Sequence, residues 1–118
     1  MTKNLEALEQ RAEVHYRGAL VCVVHRAFES DGTWYGADCA IAPRPEVGAE
    51  AWDFVAFCRD WHRRLDEAPD APPDGGEFTR FGTVVDGPDW TVVLPDRVLR
   101  VLGAPVFAGD QVSWRARW

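Results

Sequence analysis

The stretch FCRDWHRRL, Phe57 to Leu65, sets Cys58 and His62 four residues apart. On a helix that spacing brings two side chains to one face, as a pair of metal ligands or a thiol–imidazole couple requires. A zinc site needs three or four ligands, and neither C-x-x-C nor H-x-x-x-H occurs to supply the others. Phe54, Phe57, Trp61 and Leu65 fill the same arc, which marks a core face. There a cysteine packs as a small apolar group and a histidine is satisfied by a backbone carbonyl. Cys58 and His62 are therefore expected to be buried or nearly so and to hold no metal.

Cys22 and His25, in CVVH, fail as a ligand pair for a different reason. The segment has strand character, and on a regular strand an offset of three points side chains to opposite faces. His25 and Asp38 are better placed. A hairpin turning at Asp31-Gly32 sets them opposite each other, where a carboxylate can fix an imidazole tautomer. That is the orienting half of a catalytic triad, but no nucleophile joins it, since Cys39 points to the other face and no serine sits in an elbow motif. No G-x-G-x-x-G or G-x-x-x-x-G-K is present to cradle a phosphate. The sequence therefore assigns no catalytic residue, metal or cofactor, and His25 with Asp38 stand as the candidate lining of a pocket.

Charge points elsewhere. The 118 residues carry a net charge of −6. DEAPDAPPDGGE, Asp66 to Glu77, holds five acids and no base, leaving fourteen acidic against thirteen basic residues in the remainder. An acidic balance disfavours nucleic acid, whose phosphates are met by clustered Lys and Arg, and favours a basic protein. Trp52 falls outside the apolar arc of its helix, on the polar face, where a tryptophan suits a binding anchor. With Asp53, Asp66, Glu67, Asp70, Asp74 and Glu77 it makes up a candidate partner-binding surface.

The elements that position these residues follow from periodicity. Residues 4 to 13, with Asn4 as a cap, fit a short helix. Residues 18 to 42 read as a long β-hairpin about Asp31-Gly32, with Gly18 as a bulge or bend. Regular alternation would put Leu20, Cys22, Val24, Phe28, Tyr35, Cys39 and Ile41 on one face and Val21, Val23, Ala27, Trp34 and Ala40 on the other. Cys22 and Cys39 are then diagonal neighbours, expected to be reduced thiols. Residues 49 to 68 form the principal helix, and 69 to 76 a solvated loop. Beyond it, Thr83 to Val85 reads as a strand, WTVVL as a second, PDRVLRVLG as a short helix in preference to a strand, and VSWRARW as an alternating strand. The fold expected is α+β, a single domain over 1–118: a bent antiparallel sheet of about four to six strands packed against one helix.

No apolar run is long enough for a signal peptide or a membrane span, so a cytoplasmic protein is expected, with no oligomeric state implied. In size, acidity and tryptophan content the chain looks like bacterial immunity or inhibitor proteins that block basic toxin enzymes. That resemblance lies in composition alone and carries no residue roles with it. It implies a small acidic protein-binding module that neutralises a basic partner. The alternative is a small-molecule-binding or enzymatic domain with its pocket between sheet and helix near His25 and Asp38.

Overall fold

The computed structural model describes residues 10–46, 48–87 and 89–117. Along the chain come β1 (Gln10–Tyr16), β2 (Ala19–Ser30), β3 (Thr33–Ile41), α1 (Glu50–Glu67), a 3₁₀ segment (Gly75–Phe81), α2 (Gly82–Asp86), β4 (Trp90–Val93), β5 (Val98–Val101), β6 (Val106–Ala108) and β7 (Gln111–Arg117). All the strand pairings are antiparallel, in the order β3-β2-β1-β4-β5-β7-β6. A further pairing of β3 with β7 closes six of these strands into a barrel. The α+β content and antiparallel sheet are as expected; the bent sheet of about four to six strands against one helix is corrected to a seven-stranded sheet, six of whose strands close into a barrel, with two helices. Closure hinges on β7, which holds β3 along one edge (Thr33 to Gly36 against Val112 to Arg115) and β6 then β5 along the other.

Two hairpin turns set the register at the start. Asp31-Gly32 joins β2 to β3 with both residues at positive φ, 53° and 82°, as the turn chemistry requires. Arg17-Gly18, at 52° and 83°, makes an equivalent turn between β1 and β2. Gly18 is thus a turn residue, not a bulge within one long strand. Residues 10–13 are strand, contrary to the expected helix, because Ala12, Val14 and Tyr16 alternate into the core and β1 is paired on both edges. Residues 4–9 of that expected helix lie outside the described residues.

The barrel is filled by its own side chains. Val14, Val24, Trp90, Val92, Val101 and Phe107 are essentially inaccessible, and Trp34 stacks on Trp114 with ring planes within 2°. An interior of this size is just wide enough for such side chains to fill. Helix α1 packs against the barrel, chiefly on β6. Phe54 meets Trp90 and Phe107, Trp52 Nε1 donates to the Ala42 carbonyl at 2.9 Å, and the Phe107 amide donates to Cys58 Sγ at 3.3 Å. Burial fades along the helix: Ala51, Phe54, Val55 and Cys58 are buried, while Trp61, His62 and Leu65 are half-buried.

Two expectations for the later chain are corrected. Thr83 to Val85 belongs to α2, following a 3₁₀ segment capped by the Asp74 side chain at the Gly76 amide. That geometry lets Phe78 and Phe81 meet Phe54 and Phe57 edge-on or tilted. The preferred short helix in PDRVLRVLG is strand β5, lying between β4 and β7, whose edges it satisfies.

Candidate functional site

His25 and Asp38 mark the point where the expected alternation breaks. Between Ala12↔Val24 and Gln10↔Ala27, strand β2 carries one residue more than β1, a bulge at His25-Arg26. Across the hairpin Asp38 has φ 56°, and the ladder to β2 omits the His25–Asp38 rung. His25 and Asp38 are both exposed, and no hydrogen bond joins them among the described residues. The proposed pocket lining is therefore corrected to two solvent-facing side chains. The wider effect is that the inward face changes. Below the break Cys22, Val24 and Cys39 point into the core; above it Ala27, Trp34 and Gly36 do.

Phe28 and Tyr35 consequently stand outside, 40% and 45% exposed, with ring centroids 5.7 Å apart. Regular alternation would keep them on the same face as Cys22, Val24 and Cys39, which are buried. Together with Val106, 45% exposed, and with Ala37, Ala108 and Ser113, they border a groove of about 500 Å³ on the outer wall. Arg26 and His62 also line it. His62 reaches the groove from α1 with Nδ1 donating to the Cys58 carbonyl at 2.8 Å, which leaves Nε2 as the nitrogen not held by its own helix. Cys58 is buried, accepts from the Phe107 amide, and has its thiol pushed up by burial. His62 Nδ1 also lies 3.7 Å from Cys58 Sγ, but with its proton given to the Cys58 carbonyl it has no lone pair to take the thiol's proton.

His62, Ala108 and Gln111 border both this groove and an adjoining charged hollow. The hollow adds Asp60, Asp66, Glu67 and Asp110 against Arg59 and Arg63, a net acidic rim. Arg63 is itself held by Asp60 at 2.6 Å and Glu67 at 2.9 Å.

The acidic surface expected from sequence divides into structural and available parts. Trp52 is 7% exposed with its N–H bonded, so it is corrected from a surface anchor to a core residue covered by the segment after β3. Asp53 pairs with Arg44 at 2.9 Å. Glu77 pairs with Arg64 at 2.7 Å, and that guanidinium is the main reason its carboxyl lies below the usual range. Asp74 caps the 3₁₀ segment and its carbonyl accepts from Trp61 Nε1 at 3.2 Å. Asp66 and Asp70 are exposed and make no ion pair among the described residues. The groove residues Val106, Ala108, Gln111 and Ser113 went unread, although the inward set Val112 and Trp114 implies that Gln111 and Ser113 face outward.

Among the described residues no group of three or more His, Cys, Asp or Glu side chains is arranged to hold a metal, and no helix is long and apolar enough to cross a membrane. Compared with protein-family models, curated proteins and solved structures, the chain shows no significant match.

Proposed function

We propose that the chain is a protein-binding module whose partner is basic. The observation that carries this reading is the exposed Phe28–Tyr35 pair, bordering a groove that runs into an acidic rim at Asp66, Glu67 and Asp110. An apolar centre with a charged margin is the anatomy of a protein interface, and aromatic residues at such a centre supply most of its energy. The net charge of −6 sets the sign of the partner. A role in neutralising a toxin-like enzyme is one form this binding takes. A second reading is supported by the groove volume and by Arg26 and His62 within it: a small anionic ligand with an apolar body.

The test compares baits in capture from native lysate: wild type, Phe28→Ala/Tyr35→Ala, and Asp66→Asn/Glu67→Gln/Asp110→Asn. The expected result is one basic protein held by wild type. The aromatic double variant should lose it by faster dissociation, at a cost of about 2 kcal/mol or more. The charge variant should associate more slowly, with a flatter salt dependence. An acidic partner, or equal retention by all three baits, would overturn the reading. A small molecule released from the wild type on denaturation and absent from the aromatic variant would favour the second.

A further inference from the structure

Cys22 and Cys39 form a thiol pair that the binding surface does not use. The register sets Val24 opposite Cys39 and Cys22 opposite Ile41, which makes the two cysteines diagonal neighbours on the buried side of the hairpin base. The two thiols influence each other's ionisation, Cys22 being pushed up and Cys39 down. The two are not equivalent. Cys22 is fully inaccessible, while Cys39 retains 9% exposure and its amide donates to the Asp110 carbonyl. Asp110 and Arg59 both line the charged hollow, so the surface recess reaches the residues that flank Cys39. Arg59 also carries a buried Nε–H with no hydrogen-bond partner among the described residues. Its positive charge favours the anionic form of the Cys39 sulfur.

We infer that Cys39 and Cys22 are an oxidant-responsive pair that closes to an intramolecular disulfide on meeting a hydroperoxide. Cys39 is the attacking sulfur, because of the two it alone keeps any exposure and borders the hollow's residues. Its thiol is held below the usual range, first by its interaction with the Cys22 thiol and then, against burial, by the Arg59 charge, while the Asp110 carboxylate opposes the shift. Cys22 is pushed up by that interaction and by burial, and so keeps its proton until needed. The Cys39 thiolate attacks one peroxide oxygen, the O–O bond breaks, and the other oxygen leaves as alkoxide or hydroxide and takes up a proton. The Cys22 sulfur then displaces hydroxide from the Cys39 sulfenic acid, forming the S–S bond, and its proton leaves in the water released. Two thiols and one hydroperoxide thus give one disulfide, one alcohol (or water) and one water. The peroxide is reduced by the two electrons the sulfurs lose. Cys58 takes no part, because its sulfur accepts from the Phe107 amide and burial keeps it protonated.

The test uses the reduced wild-type protein, treated with hydrogen peroxide, then denatured and alkylated. The expected product has lost two hydrogens, carries one alkyl group, at Cys58, and yields a Cys22–Cys39 linked peptide that dithiothreitol separates. With Cys22→Ser, the sulfenic acid should persist on Cys39 and be trapped by a cyclic 1,3-dione. If that variant does not fold, the wild-type peptide map decides alone. Three alkylated thiols at peroxide levels that oxidise free cysteine would overturn the inference. So would a disulfide that involves Cys58 or joins two molecules.

Discussion

The two halves of the β2–β3 hairpin obey the same pairing register yet present opposite sets of residues to the core. At the base, even-numbered Cys22 and Val24 and odd-numbered Cys39 point inward; toward the tip, Ala27, Gly36 and Trp34 do. The register itself never slips, since Val24↔Cys39 and Ala27↔Gly36 lie on the same ladder. What changes is the twist between them, where β2 bulges at His25-Arg26 and Asp38 takes a positive φ. A bulge re-aims side chains without moving the strands apart. The base half consequently makes core, and the tip half makes both core and an aromatic outer surface. Gly36 shows how tight the switched face is. A Cβ at that position would run into Val24 Cγ1 and approach Val112 Cγ1 at 3.3 Å.

Five substitutions, each read as a change in unfolding free energy, would break or sharpen this contrast. Trp34→Ala should have the largest effect, about 3–5 kcal/mol, because a buried indole stacked on Trp114 is lost. Its neighbour Tyr35→Ala should cost no more than about 0.5 kcal/mol while weakening partner capture. Equal costs for the two would mean that the face does not switch. Gly36→Ala should destabilise by about 1–3 kcal/mol through overpacking, and a companion Val24→Ala change should recover part of that loss. Asp38→Val should cost about 1–2 kcal/mol, since a β-branched residue resists positive φ. Asp38→Gly should act in the opposite direction, a gain of about 0.5 kcal/mol from relieving the same strain. A stabilising Asp38→Val would show that the strand prefers regular alternation and that the kink is not built in.

Much of the architecture was legible where one signal dominated. Helix α1 was readable from its apolar arc, and the β2–β3 turn from Asp-Gly with its register, which placed Cys22 and Cys39 on one side correctly. The face switch was not legible, because period-two reasoning assumes a regular strand and neither His25-Arg26 nor Asp38 announces a bulge. Arg17 at positive φ hid the first turn for a similar reason: arginine is not a residue that turn chemistry singles out. In PDRVLRVLG, Asp96 and Gly103 mimic helix caps, and only the need of β4 and β7 for a partner makes the segment a strand. Trp52 misled for a tertiary reason as well, since the segment that covers it comes from outside its own helix. The candidate site suffered most, because the groove is assembled from β2, β3, β6, β7 and α1, and no local pattern records that meeting.

The β3–β7 seam also has a consequence for how fast the molecule forms. Thr33 and Arg115 pair across roughly 80 residues of intervening chain, so the closing contact requires a large loss of loop entropy before it returns any stabilisation. The β1–β2 and β2–β3 hairpins need no such search and can form on the microsecond scale. Until β7 arrives, β3 presents an unpaired edge beside the exposed Phe28 and Tyr35 rings. Unsealed edges next to apolar surface are where chains recruit one another wrongly. The late seam therefore makes the refolding yield depend on protein concentration, even where the closed barrel itself is stable.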